Sequence, residues 1–165
     1  MQKFGFVFPG QGSQKLGMLS DLARDQAVIE QTFAEASEIL QMDLWEIAQH
    51  DIANNLDQTE ITQPVLLTSS IAIWRLWNQL QAAKPSILAG HSLGEYSALV
   101  CAEVISFADG LNLVHKRGQF MQSAVPPGTG KMAAIVGLDN YKINEICQQA
   151  AAGQVVSAAN FNSAG

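Results

Sequence analysis

Leu88-Ala-Gly-His-Ser-Leu-Gly-Glu95 is the stretch that decides which fold this sequence predicts. It contains Gly90-His-Ser-Leu-Gly94, which matches the Gly-x-Ser-x-Gly pattern of a nucleophile elbow. An elbow is a turn between a strand and a helix, so tight that only small residues fit two positions before and after the serine. The turn exposes the serine hydroxyl and directs the next backbone N–H toward the group under attack. The pattern therefore predicts that Ser92 is a nucleophile.

The residues on both sides of this motif favour the same interpretation. Residues 86–89 form a short apolar run typical of a buried strand, and residues 93–102 have the apolar spacing of a packed helix. A strand, a sharp turn and a helix are the context that a nucleophile elbow requires. The alternative left open by the local sequence is a glycine-rich turn in which an inert serine caps the helix.

Strand and helix patterns alternate along the chain. Apolar runs predict strands at residues 3–8, 86–89, 132–136 and 154–159, and helical periodicity predicts helices at 21–40, 44–49, 61–82, 93–102, 106–123 and 141–152. Pro64 is expected in the first turn of its helix, and Asp109 is expected as a capping-box-like partner at the start of the helix near Ser106. The alternation predicts an α/β protein with a mostly parallel sheet.

One strong breaker divides the sequence. Pro126-Pro-Gly-Thr-Gly130 combines two prolines with two glycines, which end regular structure for opposite reasons. After it, a βαβ pattern of different size begins. We therefore expect a larger domain at residues 1–125 and the start of a smaller one at residues 126–165.

Composition limits the classes of protein to which the chain can belong. Of 165 residues, 48% are hydrophobic and 15% are charged, which is typical of a compact enzyme with a large core. The net charge of −6 argues against broad nucleic-acid binding. No secretory signal or membrane-spanning run is visible, so a cytoplasmic protein is expected. Cys101 and Cys147 lack metal-ligand spacing, and each is expected to be a small core residue.

A second glycine-rich segment, Pro9-Gly-Gln-Gly-Ser-Gln14, follows the first predicted strand. It does not fit the dinucleotide-binding fingerprint, because Lys15 stands where a third glycine is needed, and it lacks the Gly-Lys-Ser/Thr of a phosphate-binding loop. Its glycines would instead let the backbone approach a substrate. The N–H groups near Gln11 and of Leu93 are candidates for an oxyanion hole, which needs two donors about 3 Å from the developing charge. An ordinary turn is the alternative.

Arg117 is the second informative residue. Leu113, Val114 and Met121 lie three or four positions from it, which predicts that Arg117 lies on the apolar side of its helix. Arginine is almost never buried without a partner, so a carboxylate from the protein or from a ligand is expected beside it. A guanidinium binds a carboxylate through two parallel hydrogen bonds. A structural salt bridge and a surface arginine that reaches solvent remain the alternatives.

None of the three histidines is well suited to activate Ser92. A nucleophilic serine needs a general base within hydrogen-bond reach, and this base is usually histidine. His91 is adjacent to Ser92 in a tight turn and projects differently. His50 follows a short helix in a polar stretch and is expected to be exposed. Nothing in the sequence marks His115.

Several motifs together resemble those of the malonyl-CoA:acyl-carrier-protein transacylases and of the acyltransferase domains of polyketide synthases. The segments that carry the resemblance are Phe6-Val-Phe-Pro-Gly-Gln-Gly-Ser-Gln14, Thr62-Gln-Pro64, Gly90-His-Ser-Leu-Gly-Glu95, Arg117-Gly-Gln-Phe-Met121, Met132-Ala-Ala-Ile-Val-Gly137 and Asn160-Phe-Asn162. The first loop and the elbow are specific as a pair, because hydrolases and thioesterases with the same elbow do not usually carry that loop.

The resemblance implies a role for each matching residue. Ser92 would be the nucleophile, Gln11 and Leu93 would supply the oxyanion-hole N–H groups, and Arg117 would bind the free carboxylate of a malonyl group. The residues that resemble those near the family's active-site entrance are His91, Met121, Met132, Asn160 and Asn162. No metal ligand is implied.

The resemblance also implies a fold and a reaction. The expected fold is an α/β-hydrolase-like core with a mostly parallel sheet and the beginning of an inserted ferredoxin-like subdomain. The expected reaction moves a malonyl group from malonyl-CoA to the phosphopantetheine thiol of acyl carrier protein, through an acyl-serine, in fatty acid biosynthesis. The expected partners are acyl carrier protein and a coenzyme A thioester, with no metal or redox cofactor, nucleic acid or membrane. The full-length protein is expected to be a monomer.

The chain departs from the family in length. Family members run considerably further, and the catalytic histidine is expected in the part beyond these residues. Two other hypotheses remain: a serine thioesterase or hydrolase that uses the same elbow, and an inactive fragment that acts as a binding module.

Overall fold

The described part of the chain is an α/β structure with a small parallel sheet and seven helices. The computed structural model describes residues 3–126 and 128–163. The elements in chain order are β1 (Gly5–Phe8), α1 (Ser20–Asp25), α2 (Val28–Leu40), α3 (Leu44–Gln49), α4 (Thr59–Gln79), β2 (Ile87–Gly90), α5 (Leu93–Cys101), α6 (Phe107–Ser123) and α7 (Asn140–Ala150). The chain divides into two compact units, Met1–Pro127 and Gly128–Gly165. Pro127, in the predicted boundary, lies outside the described residues.

The sheet of the first unit brings two distant segments together. β1 and β2 pair in parallel, with Phe6 opposite Leu88 and Phe8 opposite Gly90. Neighbouring parallel strands end at the same edge of a sheet, where ligands of α/β proteins commonly bind. The loop that follows β1 and the elbow that follows β2 therefore lie at one edge.

The core of the first unit is built around α4, a helix of 21 residues. The largest fully buried apolar side chains come from α2, α3, α4, α5 and α6, namely Phe33, Ile29, Leu44, Leu67, Leu93, Leu111, Val65 and Val114. Two short aromatic contacts join β1 to α4, since the Phe6 ring lies edge-on to Trp74 at 5.7 Å and to Trp77 at 5.0 Å. Among the described helices, none is long and apolar enough to cross a membrane.

Helix boundaries follow the sequence signals closely at α3 and α6. The α3 bounds are those predicted. The predicted start of α6 is confirmed, because Ser106 Oγ accepts a hydrogen bond from the Asp109 N–H at 3.0 Å and donates one to Asp109 Oδ2 at 2.6 Å. This reciprocal cap satisfies an N–H that the first helical turn leaves without a partner.

Two helix predictions need correction. The single helix predicted over 21–40 is two helices, since Gln26 leaves the helical conformation with φ −130° and ψ 87°. The break separates α1, which buries no residue, from α2, whose buried face includes Ile29 and Phe33. The helix predicted from 61 begins at Thr59, so Pro64 lies inside α4 rather than in its first turn.

The two strands predicted in the second unit are absent. Residues 132–136 and 154–159 are irregular and pair with no strand among the described residues. Val136 and Val155 are 84% and 95% exposed. A strand needs a neighbour that pairs its backbone groups and covers its apolar face, and an apolar run alone supplies neither. The helix prediction is confirmed, with the Asp139 carboxylate accepting from the Lys142 N–H at 2.8 Å to cap α7.

The two cysteines differ in burial. Cys101 on α5 is buried, as expected, whereas Cys147 on α7 is only half-buried. Burial disfavours the charged thiolate and raises the pKa of Cys101 from 9.0 to about 12.

The difference in burial predicts a difference in reactivity. We expect iodoacetamide at pH 8 to label Cys147 in the folded protein and to leave Cys101 unlabelled, with both cysteines labelled after unfolding. Peptide mass spectrometry measures the two yields, and equal labelling of the folded protein would contradict the prediction.

The raised pKa of Cys101 also predicts how stability depends on pH. The unfolded thiol ionises near 9.0 and the folded one near 12. The contribution of this group to the free energy of unfolding is therefore fully present below pH 9, and it is lost as the pH rises from 9.0 to about 12. Urea unfolding of the Cys101→Ala variant, which lacks this group, should show a weaker loss of stability over the same pH range.

Candidate active site

Ser92 lies at the sharp turn between β2 and α5. Its backbone has φ 54° and ψ −113°, a conformation that residues with a side chain rarely adopt and that costs of the order of 1–3 kcal/mol. The turn is closed by hydrogen bonds from the Gly94 N–H to the His91 carbonyl at 2.9 Å and from the Glu95 N–H to the Ser92 carbonyl at 3.2 Å. The predicted strand, turn and helix are thus all present, and the Ser92 side chain is exposed.

Close backbone contacts explain both glycines of the elbow. A Cβ added to Gly90 would lie 2.0 Å from the carbonyl carbon of Gly94. A Cβ added to Gly94 would lie 2.2 Å from the Phe8 carbonyl oxygen. Neither obstacle is a flexible side chain, so any larger residue must displace backbone. The second contact also shows that α5 packs directly on the end of β1.

We expect Gly94→Ala to destabilise the protein by about 3 kcal/mol, the upper part of the usual range for overpacking, because the new methyl group meets main-chain atoms. Urea unfolding measures the loss. Gly10→Ala is the matched control: its Cβ has one neighbour within 4 Å, the His91 carbonyl oxygen at 3.3 Å. We expect Gly10→Ala to lower the free energy of unfolding by less than about 1 kcal/mol. Equal losses in the two variants would show that the elbow is not closely packed.

The loop after β1 lies against the elbow. The proximity of Gly10 to the His91 carbonyl places the two segments in contact. The loop is held from the other side by Gln14 Nε2, which donates to Asp57 Oδ1 at 2.8 Å, and by Gln11 Nε2, which donates to Thr59 Oγ1 at 3.1 Å. These two contacts tie the loop to α4 and to the segment that precedes it.

The two N–H groups expected in the oxyanion hole are both free donors. Within the described ranges, the backbone N–H groups of Gln11 and Leu93 donate to no other protein atom. Leu93 is the first residue of α5, and the first N–H groups of a helix have no partner inside it. Both groups lie in the segments that meet at the sheet edge, and their joint role as an oxyanion hole beside Ser92 stays a prediction.

Arg117 reaches Ser92 from α6. Its Nη2 donates to Ser92 Oγ at 2.8 Å, and its Nη1 donates to Gln63 Oε1 at 2.8 Å. The centroid of the Tyr96 ring lies 5.7 Å from the guanidinium carbon, which is within cation–π range. The side chain is half-buried and sits at the border of the buried face rather than on a fully apolar side. Leu113 and Met121, expected to face inward, are 49% and 44% exposed.

No carboxylate of residues 3–126 or 128–163 forms an ion pair with Arg117. The ion pairs found among these residues are Arg24 with Asp21 and Arg75 with Glu35. The salt-bridge alternative is therefore excluded for the described residues, and the hydrogen bonds to Gln63 and Ser92 exclude a freely solvated arginine. A positive charge lies next to the Ser92 hydroxyl, and its counter-charge is not among these side chains.

Gln63 is the site residue to which the sequence analysis assigned no role. It is fully buried in α4, and its Nε2 donates to the Met121 sulfur at 3.3 Å while its Oε1 accepts from Arg117. The signals in the sequence are its place in the Thr62-Gln-Pro64 segment of the family resemblance and an amide inside an apolar helical stretch. Such a position indicates a hydrogen-bonded core residue but does not identify its partner.

The histidines contact other groups than Ser92. His115 Nδ1 lies 3.0 Å from the Glu60 carbonyl oxygen, and its Nε2 lies 3.0 Å from Gln119 Nε2. Pro64 has no N–H for this carbonyl four residues earlier, so His115 supplies the missing donor. His50 and His91 are exposed. In the part of the chain that the structure describes, no histidine hydrogen-bonds to Ser92.

The residues expected near the entrance fall in both units. Met121 and His91 are close in sequence to Arg117 and Ser92, and Met121 is linked to Arg117 through Gln63. Met132, Asn160 and Asn162 belong to the second unit, where all three are exposed. Their place at an entrance stays a prediction. The described side chains contain no group of three or more His, Cys, Asp or Glu residues that could hold a metal ion.

Comparison with known proteins confirms the resemblance. The malonyl CoA-acyl carrier protein transacylase of Escherichia coli K12 is 58% identical over 165 residues, which are all of this chain and 53% of that protein. An acyl carrier protein S-malonyltransferase from Vibrio cholerae superimposes with a TM-score of 0.91 at 59% identity, covering 99% of this chain and 54% of that one.

A further solved structure is a malonyl-transacylase in complex with its type II polyketide synthase acyl-carrier protein, with a TM-score of 0.93 and 56% identity, covering 99% of this chain and 53% of that one. The chain thus spans about half the length of the relatives it matches. The family model of the acyl transferase domain matches residues 5–164. With the elbow, the neighbouring loop and the arginine in place, this match shows that the chain belongs to the acyl transferase domain family.

Proposed function

We propose that the whole protein transfers a malonyl group from malonyl-CoA to the phosphopantetheine thiol of acyl carrier protein, with Ser92 as the acyl carrier between them. One observation carries the proposal: the Arg117 guanidinium donates to Ser92 Oγ at 2.8 Å without a carboxylate partner among the described side chains. A nucleophile beside an uncompensated cation suits an acyl group that bears its own carboxylate.

In the first half-reaction, Ser92 Oγ attacks the thioester carbonyl carbon of malonyl-CoA. The Ser92 proton moves to a general base, the carbonyl oxygen becomes an oxyanion, and the Gln11 and Leu93 N–H groups donate to it. As the oxyanion collapses, the carbon–sulfur bond breaks and coenzyme A leaves as its thiol with that proton. Preorganised donors of this kind are worth about 3–4 kcal/mol each in barrier height.

The second half-reaction is the reverse with a different thiol. The phosphopantetheine thiol of the carrier protein attacks the malonyl-serine ester, its proton passes to the base, and the Ser92 oxygen leaves and takes the proton back. The same two N–H groups serve both oxyanions. The proposal assigns the base to a histidine outside these 165 residues, as the resemblance implies.

Arg117 selects the acyl group in this proposal. A planar guanidinium binds a carboxylate through paired hydrogen bonds, and Nη2 is already within hydrogen-bond distance of the oxygen that becomes acylated. The carboxylate carbon of a malonyl group is the third carbon of the acyl chain. A short diacid therefore suits an arginine that lies this close to Ser92 Oγ. The names of the relatives, malonyl CoA-acyl carrier protein transacylase, support the same substrate.

The finer features of the fold are part of the proposal. We infer that the first unit is part of an α/β-hydrolase-like core, with residues 1–125 as the larger domain, and that residues 126–165 begin a ferredoxin-like subdomain. That Met132, Asn160 and Asn162 of the second unit lie near an active-site entrance stays a prediction. No cofactor besides the two substrates is proposed, and the monomeric state and cytoplasmic location stay predictions.

The test incubates the purified protein first with malonyl-CoA and then with phosphopantetheinylated acyl carrier protein. Intact-mass and peptide analysis should find one malonyl group on the peptide that contains Ser92, and the group should pass to the carrier protein in the second step. Release of free malonate instead would support the thioesterase alternative. A folded protein that gains no malonyl group would contradict the proposal.

A further inference from the structure

We infer that Gln63 is a positioning residue that makes the site selective for acyl groups with a carboxylate, because it orients Arg117 without neutralising it. The inference rests on the proposed function, in which Arg117 binds the malonyl carboxylate. Gln63 lies 54 positions from Arg117 in the sequence. The inference also says which property of residue 63 affects substrate choice, namely that its side chain carries no charge.

The orientation of the Gln63 amide is determined by its two partners. Its oxygen accepts from Arg117 Nη1 at 2.8 Å, and its nitrogen donates to the Met121 sulfur at 3.3 Å. The reversed amide would set NH₂ against the guanidinium, two donors facing each other, and would leave the thioether without a donor. Since Gln63 is fully buried, no water replaces these partners.

The two helices that carry these side chains are held at a fixed spacing. A Cβ on Gly118 of α6 would lie 2.4 Å from the Glu60 Cα of α4, so the backbones touch next to Arg117. On either side of this contact, Thr59 N donates to Gln122 Oε1 at 3.3 Å and His115 bonds to the Glu60 carbonyl. The Gln63 oxygen therefore faces Arg117 at a distance set by the packing of α4 on α6.

Two hydrogen bonds and one ring orient the guanidinium. Arginine has five N–H donors in a planar fork, and here one donates to Gln63 and one to Ser92. The Tyr96 ring lies beside the guanidinium carbon. The other N–H groups are available to a carboxylate, and a guanidinium already held in position loses less freedom on binding.

Arg75 provides an internal contrast to Arg117. Both are half-buried and both have an aromatic ring near the guanidinium carbon, Phe107 at 4.9 Å for Arg75 and Tyr96 at 5.7 Å for Arg117. Arg75 pairs with the Glu35 carboxylate, so its charge is compensated within the protein. Arg117 has a buried amide in that place. Because the Gln63 amide carries no charge, the positive charge of Arg117 stays available to the carboxylate of a ligand.

The deciding variant is Gln63→Glu, which preserves size and the acceptor but adds the charge that Glu35 brings to Arg75. We expect kcat/KM for malonyl-CoA to fall about 10- to 100-fold, mainly through KM, because the new carboxylate competes with that of the substrate. Transfer of an acetyl group from acetyl-CoA, which has no carboxylate, should change less than about threefold. The ratio of the two kcat/KM values measures the effect.

Two further variants separate the causes. Gln79→Glu is the matched control, because Gln79 is exposed at the other end of α4, about 24 Å along the helix from Gln63, and should leave the ratio unchanged. Gln63→Met fills the same space without charge or acceptor, and it should lower malonyl transfer more than acetyl transfer through loss of orientation. Thermal unfolding checks that each variant is folded.

The outcomes distinguish this inference from the proposed function. Equal loss of malonyl and acetyl transfer in folded Gln63→Glu, or in Gln63→Met if the first variant does not fold, would show a merely structural role and overturn the inference. An unchanged ratio in Arg117→Ala would overturn the proposed carboxylate binding itself. A ratio that falls in Arg117→Ala but not in Gln63→Glu would overturn the role of Gln63 alone.

Discussion

If Ser92 carries the acyl group as proposed, we expect a Ser92→Ala variant to acquire no malonyl group from malonyl-CoA and its transfer to the carrier protein to fall by about 10⁴- to 10⁶-fold. The reason is covalent: the acyl group would have no oxygen to which it can be attached, whereas the Gln11 and Leu93 N–H groups and Arg117 would, in the proposed mechanism, still bind the thioester. The residual rate is then that of direct attack by the second thiol. Intact-mass measurement detects the adduct, and a radiolabelled malonyl group measures transfer.

Ser97→Ala is the matched control for this variant. Ser97 lies on α5, five residues after Ser92, and its buried hydroxyl oxygen has no hydrogen-bond partner among the described residues. Removing a buried hydroxyl without a partner is neutral or stabilising, so we expect normal acylation and an unchanged or higher unfolding temperature. An adduct that persists in Ser92→Ala would contradict the assignment of the nucleophile.

Arg117→Ala should reduce malonyl transfer far more than acetyl transfer. The variant removes the cation that would bind the substrate carboxylate, and truncating one partner of such a pair costs about 2–5 kcal/mol, or roughly 30-fold to several thousand-fold in kcat/KM. Acetyl-CoA has no carboxylate, so its transfer should change only through the lost hydrogen bond to Ser92 Oγ. Steady-state kinetics with the two thioesters measures both effects.

Two controls accompany this variant. Arg117→Lys retains the positive charge but not the planar fork, and it should recover only part of the malonyl activity. Arg24→Ala removes an arginine whose side chain is 76% exposed and paired with Asp21 at the surface, and it should leave both activities unchanged. If Arg117→Ala loses malonyl and acetyl transfer to the same extent, Arg117 does not bind the substrate carboxylate.

Local sequence predicted the elbow well because the elbow is a local structure. The two glycines that it needs lie two positions on either side of Ser92, and the contacts that exclude a Cβ at Gly90 involve atoms of Gly94 and Glu95. The helix cap at Ser106 was predictable for the same reason, since its hydroxyl oxygen accepts from an N–H three residues ahead.

Predictions that needed a partner elsewhere in the chain were less successful. The apolar runs at 132–136 and 154–159 have strand composition, yet they have no pairing partner among the described residues and stay irregular. Arg117 was expected on an apolar helix face, but Leu113 and Met121 are half-exposed, and it is Gln63 and Ser92 that hold the guanidinium. Helical spacing shows which residues share a face but not what covers that face.

The sequence by itself determined the strand, turn and helix around Ser92, the glycine-rich loop and the likeness to acyl transferases, because short-range sterics and specific motifs carry those features. The tertiary structure alone decided what surrounds the Ser92 hydroxyl. The parallel pairing of β1 with β2 brings the Gln11 loop to the elbow, and the contact of α4 with α6 at Gly118 sets Gln63 opposite Arg117. Arg117 and Gln63 are 25 and 29 residues from Ser92 in sequence, and only chain packing brings side chains so far apart into one hydrogen-bonded group.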